Sequence, residues 1–170
     1  MDGEAAPSLR SLEEACGDFD LSRAAASIDR LVGWGEGLTP AGDDAIVGFL
    51  AAIRAVAGTD AKQVAFVDAL STAVAARAAQ TTDISAHYLR LAAGGHFNAD
   101  VMRLVHALMD GESGDVAGTA AALASRTPSP LGAAPLHVAL EAALDVGATS
   151  GADMVAGMMA GFRASGRANE

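Results

Sequence analysis

The chain has 170 residues, 51% of them hydrophobic and 19% charged, enough for one domain with a real core and unlike a disordered chain. Its net charge of −10 argues against nucleic acid or an anionic membrane as a partner, although oriented N–H groups or a bound cation still permit a local anion site. A single cysteine, Cys16, excludes a disulfide framework and a cysteine metal knuckle. No basic-then-apolar leader opens the sequence and no apolar run is long enough for a membrane span, so a cytoplasmic location is expected.

Only 4% of residues are aromatic and alanine is abundant, a composition suited to closely packed helices rather than sheets. Residues 1–8 are polar and read as frayed, followed by a short helix over 9–15 that Gly17 closes. Asp20 or Ser22 can cap the next helix, whose apolar positions include Leu21, Ala24, Ala25, Ile28 and Leu31, up to Gly33. A helix from about 40 to 57 carries two stripes. Ile46, Phe49, Leu50 and Ile53 form an apolar face, and Ala45, Gly48, Ala52 and Ala55 form a small one that lets another backbone come close.

A long helix over 61–78 directs Val64, Val67, Leu70 and Val74 inward. Gln80, Thr81, Thr82 and Asp83 break it, and a helix over 84–93 stops at Gly94 and Gly95. Asn98 caps a helix over 97–109. An alanine-rich helix is expected from Ser113 or Asp115 to about Ser125, then a loop over 127–132 fixed by Pro128 and Pro130. Pro135 starts another helix to about Val146, and Gly147 to Ser150 turn into the last one, 154–162. No stretch alternates with period two. The expectation is an all-α, single-domain helical bundle, with 1–19 as a polar N-terminal segment, 20–164 as the helical domain and 165–170 as a tail.

The chemistry-bearing stretch is 33–44, reading Gly33-Trp34-Gly35-Glu36-Gly37-Leu38-Thr39-Pro40-Ala41-Gly42-Asp43-Asp44. Alternate glycines disfavour a helix by about 1 kcal/mol each and suit a sharply turning loop. Thr39 can then cap a helix that Pro40 begins, with Asp43 and Asp44 in its first turns at the positive end of the dipole. The pattern Gly42-x-Asp44-x-x-x-Gly48 recurs as Gly151-x-Asp153-x-x-x-Gly157, each copy just after a threonine, Thr39 and Thr149. This pseudo-repeat is expected to bring the two helix starts together, with the two helices packing through their small faces.

As a site, the glycine loop and the Thr39 hydroxyl would cradle a phosphate or carboxylate, and Asp43 and Asp44 would hold Mg²⁺. As pure structure, the same residues make a tight helix start. The Gly-Lys-Ser/Thr ending of a Walker loop is absent. Ser150 and Asp153 have capping-box spacing, which explains them structurally. Thr81, Thr82, Asp83 and Ser85 read as caps whose hydroxyls could also reach a ligand. His87, His96, His106 and His137 show no metal-ligand spacing, Cys16 has no activating neighbour, and Met154, Met158 and Met159 read as core. Glu36 has no assignable role.

The residues Gly35-x-Gly37-Leu38-Thr39-Pro40-x-Gly42-Asp43-Asp44-x-x-x-Gly48, with Thr149-Ser150-Gly151-Ala152-Asp153-Met154-x-x-Gly157 downstream, resemble the bacterial AllH family over about 20–164. That family is implicated as one subunit of a multi-subunit oxamate carbamoyltransferase in allantoin breakdown. The resemblance implies carbamoyl transfer between carbamoyl phosphate and a small acid such as oxamate. Other enzyme subunits or a homo-oligomer are the expected partners, beside a small anionic metabolite. The resemblance would place ligand-binding positions at Gly35, Gly37, Thr39, Gly42, Asp43 and Asp44, and the internal repeat adds Thr149, Ser150, Gly151 and Asp153 to the same anionic-ligand site. A non-catalytic assembly or regulatory subunit, its glycines serving helix packing, is the alternative. A free-standing Mg²⁺-dependent hydrolase is a third reading without an identified base.

Overall fold

The computed structural model describes residues 5–111, 136–145 and 149–168. Among these are eight α-helices and no strand: α1 Ala5–Gly17, α2 Leu21–Leu31, α3 Ala41–Ala57, α4 Ala61–Arg77, α5 Asp83–Ala93, α6 Ala99–Gly111, α7 Leu136–Leu144 and α8 Ser150–Ala168, with a 3₁₀ turn at Ala78–Gln80. The expected helix over 113–125, the proline loop over 127–132 and Pro135 lie outside the described residues, as do Gly147 and Ala148.

Caps set the helix starts. Asp20 accepts from the Arg23 N–H at 2.9 Å, Asp60 from Gln63 at 2.8 Å and Thr82 from Ser85 at 3.1 Å. Asn98 Oδ1 accepts from the Val101 N–H at 2.7 Å and opens α6 as expected. Residues 5–8 differ from their reading as frayed. α1 begins at Ala5, because Pro7 falls in the first turn, where a missing N–H costs nothing. Ala5, Leu9, Leu12 and Ala15 are buried, so this segment is part of the core. On α8, Arg163 donates to the buried Glu13 at 2.9 Å, tying α1 to the last helix. α8 itself continues through Ala168.

The centre of the fold is the pair α3 and α8. Ile46, Phe49, Leu50 and Ile53 are buried on one side of α3 as its stripe requires. The small faces carry the close contact. A Cβ on Gly48 would stand 1.9 Å from the Met154 carbonyl oxygen, and one on Gly157 would stand 1.9 Å from the Ala45 oxygen. Each glycine thus rests on the residue three positions before the other, so the sequence repeat is also a spatial one. It extends to the helix starts: a Cβ on Gly42 would lie 2.0 Å from the oxygen of Leu31, which ends α2, and one on Gly151 would lie 2.3 Å from the oxygen of Ala143, near the end of α7.

Two inward assignments fail. Val64 and Met159 are 37% and 41% exposed, because α4 and α8 each present only one flank to the core. Beside the central pair, Arg54 of α3 reaches the carbonyl of Ala93 at 2.7 Å and the Ser71 hydroxyl at 2.9 Å. It ties the end of α5 to α3 and α4, and so fixes one wall of the cleft described next. No described helix is long and apolar enough to cross a membrane.

Candidate functional site

The glycine loop is held by side chains on both sides. Gly35 and Gly37 have φ of +113° and +91°, a region where an L side chain is strained. At Gly35 a Cβ would also stand 2.8 Å from the Ala41 nitrogen. Asp43 is buried and has both oxygens in use, accepting from the Gly33 N–H of the loop at 2.9 Å and from the Thr81 hydroxyl just before α5. The Thr82 hydroxyl donates to the Leu38 carbonyl, and the Gly42 N–H to the Trp34 carbonyl at 2.9 Å. The hydroxyls at the start of α5 therefore brace the loop, a role that their capping pattern alone did not reveal.

Thr39 does not cap α3. Helical residues begin at Ala41, Pro40 stands at the cap position without a side-chain bond, and the Asp43 and Asp44 N–H groups bond the Pro40 carbonyl at 2.9 and 3.2 Å. The Thr39 hydroxyl turns instead to Ser150, 2.8 Å away, at the start of α8. The two motif copies meet at this pair. Thr149 stays exposed and gives its carbonyl to the Asp153 N–H at 3.2 Å, while Asp153 itself is buried.

Beside the pair opens a cleft of about 470 Å³, lined by Thr39, Asp44 and Ser150. Its walls are Val47, Leu91, Phe97, Val101 and Met154, with Tyr88, His96 and Asn98 as further polar groups. No Lys or Arg is among the described lining residues. Asp44 is only 7% exposed, and its Oδ2 has no hydrogen-bond partner among the described residues. An orphaned buried acceptor of this kind costs about 1–3 kcal/mol. Burial pushes the Asp44 carboxyl up to about 6; the charges of Asp153 and Asp43 push the same way, and the Ser150 and Thr39 hydroxyls oppose them.

The structure therefore divides the residues singled out in the sequence. Thr39, Asp44 and Ser150 line the cleft, whereas Gly35, Gly37, Gly42, Asp43, Thr149, Gly151 and Asp153 do not. Gly42 and Gly151 are packing positions, and Asp43 is a loop anchor. The two carboxylates point apart, Asp43 toward Gly33 and Thr81 and Asp44 toward the cleft. Among the described residues no group of three or more His, Cys, Asp or Glu side chains could hold a metal ion. Tyr88, His96 and Phe97 carry no sequence signal for this site, since only the packing of α5 and the turn after it brings them opposite α3 and α8. Cys16 is buried, which pushes its thiol up to about 12 and leaves it unreactive.

Fold and site together define an all-α domain in which two copies of a glycine-aspartate helix start converge on an acid-bearing cleft. A family model described as oxamate carbamoyltransferase subunit AllH matches residues 31–130, more than half of the chain. The chain belongs to the AllH family. The match takes in the glycine loop, α3 and the cleft residues of α5 and α6, and ends before Ser150 and Met154. No curated protein and no solved structure matches the chain.

Proposed function

We propose that this chain is one subunit of a multi-subunit carbamoyltransferase of the oxamate type, and that the cleft at Asp44 holds its small metabolite. The observation that carries this reading is Asp44 itself. A buried acid with an unpartnered oxygen faces a cleft at the point where both motif copies meet. A folding sequence has no structural need for such a group, and violations of this kind gather at working sites. The volume, about 470 Å³, lies within the range of small-molecule sites and exceeds what one small acid fills. It can take two small reactants side by side.

In such a transfer the acceptor nitrogen forms a bond to the carbamoyl carbon, the carbon–oxygen bond to phosphate breaks, and phosphate leaves with the electron pair. The acceptor nitrogen gives up a proton. Charge on the departing phosphate needs donors or cations, and the described lining residues include no Lys or Arg. On this reading a neighbouring subunit contributes them across the open side. A Mg²⁺ ion carried in with the ligand would find Asp44 alone, and one carboxylate with waters and substrate oxygens is a set that Mg²⁺ accepts.

Calorimetric titration of the full chain with carbamoyl phosphate, with and without Mg²⁺, tests the proposal. Saturable binding that Asp44→Asn weakens at least tenfold supports it. Binding untouched by Asp44→Asn would remove the cleft from the function. The second reading, a non-catalytic assembly subunit, draws on the four motif glycines Gly42, Gly48, Gly151 and Gly157, all placed against backbone. An intact chain that binds no small anion but joins the other transferase subunits in a stable complex would favour it.

A further inference from the structure

We infer that Asp44 seats a hydrogen-bond-donating nitrogen of the ligand, so that the cleft separates an amide or ureido end from a carboxylate of the same shape. This deepens the reading of the cleft as the metabolite site and rests on it. The Asp44 side chain is more than nine-tenths buried in the cleft wall, and Oδ2 is without a partner among the described residues. Its neighbours Thr39 and Ser150 bond each other at 2.8 Å and also hydrogen-bond the Asp44 carboxyl, so Oδ2 alone is left over. Val47, Phe97, Val101 and Met154 offer no donor from the walls.

That oxygen is closed off from solvent as it stands, and a small turn of the carboxylate toward the cleft lets an incoming N–H satisfy it in a charge-assisted bond. A carboxylate brought to the same place has no proton to donate. It also meets the field of Asp44 and, behind it, of Asp43 and Asp153, the two acids that already act on Asp44. The other end of the ligand has polar company in the same cleft. Asn98 has its Oδ1 occupied by the Val101 N–H, which leaves its NH₂ group to donate, and Tyr88 and His96 stand in the same lining. A site built around one N–H contact rejects the analogue lacking it by far more than an apolar pocket rejects a missing methylene.

Oxamate and oxalate differ by NH₂ against O⁻ on one end and form the test pair. The full chain is titrated with each at pH 7.5, with and without Mg²⁺, and the titrations are repeated on Asp44→Asn. The expected result is oxamate binding at least tenfold tighter than oxalate without Mg²⁺, a preference that Asp44→Asn abolishes or reverses because it presents an NH₂ of its own. The wild-type ratio decides the matter even if the variant does not fold. Equal affinities would overturn the assignment of Asp44 while leaving the cleft as the site. Oxalate preferred in the presence of Mg²⁺ would also overturn it, since Asp44 would then act through the cation. Absence of saturable binding by oxamate, oxalate and carbamoyl phosphate alike would overturn both this inference and the reading beneath it.

Discussion

The hydroxyl of Thr39 lies 2.8 Å from that of Ser150, a residue 111 positions further along the chain. This bond joins the starts of the two central helices and stands beside the Asp44 cleft. Thr39→Val and Ser150→Ala should each cost about 1 kcal/mol in urea unfolding. The double variant should cost measurably less than their sum, by about 0.5–1 kcal/mol, because both remove the same bond. Strict additivity would mean that the two hydroxyls do not cooperate in holding the helix starts.

Asp44 makes stability fall as pH rises. Its carboxyl titrates near 6 in the folded chain against the ordinary carboxylate value when unfolded, so the native state holds the proton more tightly. The sign follows directly: this group's penalty is absent below about pH 4, grows between about 4 and 6, and is complete above that. Asp44→Asn should therefore raise stability at pH 7.5 by about 2 kcal/mol, or about 5 °C in Tm, with the gain closing near pH 4. The difference between variant and wild type isolates this acid from the titration of the others, including Asp43 and Asp153 close by and His96 in the cleft. A variant less stable than wild type at pH 7.5 would make Asp44 a structural group.

Asp43, one residue earlier, should behave oppositely. Both its oxygens are in use, so Asp43→Ala leaves the Gly33 N–H and the Thr81 hydroxyl without their partner. A loss of about 2–3 kcal/mol at neutral pH is expected in denaturant unfolding. Adjacent aspartates with opposite effects on stability would separate anchor from site within one motif.

Gly48→Leu and Gly157→Ala place carbon 1.9 Å from a carbonyl oxygen of the partner helix, so α3 and α8 must separate. Each should cost more than about 4 kcal/mol or prevent folding, read as lost soluble yield or a lowered Tm. Gly37→Ala is the contrast. Nothing lies within 4 Å of a Cβ there, and the cost, about 1 kcal/mol, comes only from its φ of +91°.

Much of this protein is written locally. Alternate glycines at 33, 35 and 37 require a loop, Asn98 and Asp20 are caps in their own sequence context, and the spacing of Ile46, Phe49, Leu50 and Ile53 requires a helix with one buried face. The small stripe with Gly48 and its copy with Gly157 even names the central helix pair, since only glycine admits backbone contact that close. These features depend on neighbours within a turn or two, where sequence distance and spatial distance agree.

What the tertiary structure alone decided is which polar groups are already satisfied. Asp43 and Asp44 are equivalent in sequence: adjacent acids at one helix start. They part because successive helical residues point about 100° apart, one toward Gly33 and Thr81 and the other toward the cleft. Likewise Thr39 reads as a cap until Ser150 arrives opposite it, and nothing near Tyr88 or His96 in the chain announces the wall they share with α3 and α8. A hydrogen bond is strong only against the alternative that its partners find, and those partners come from elements folded together from distant parts of the chain.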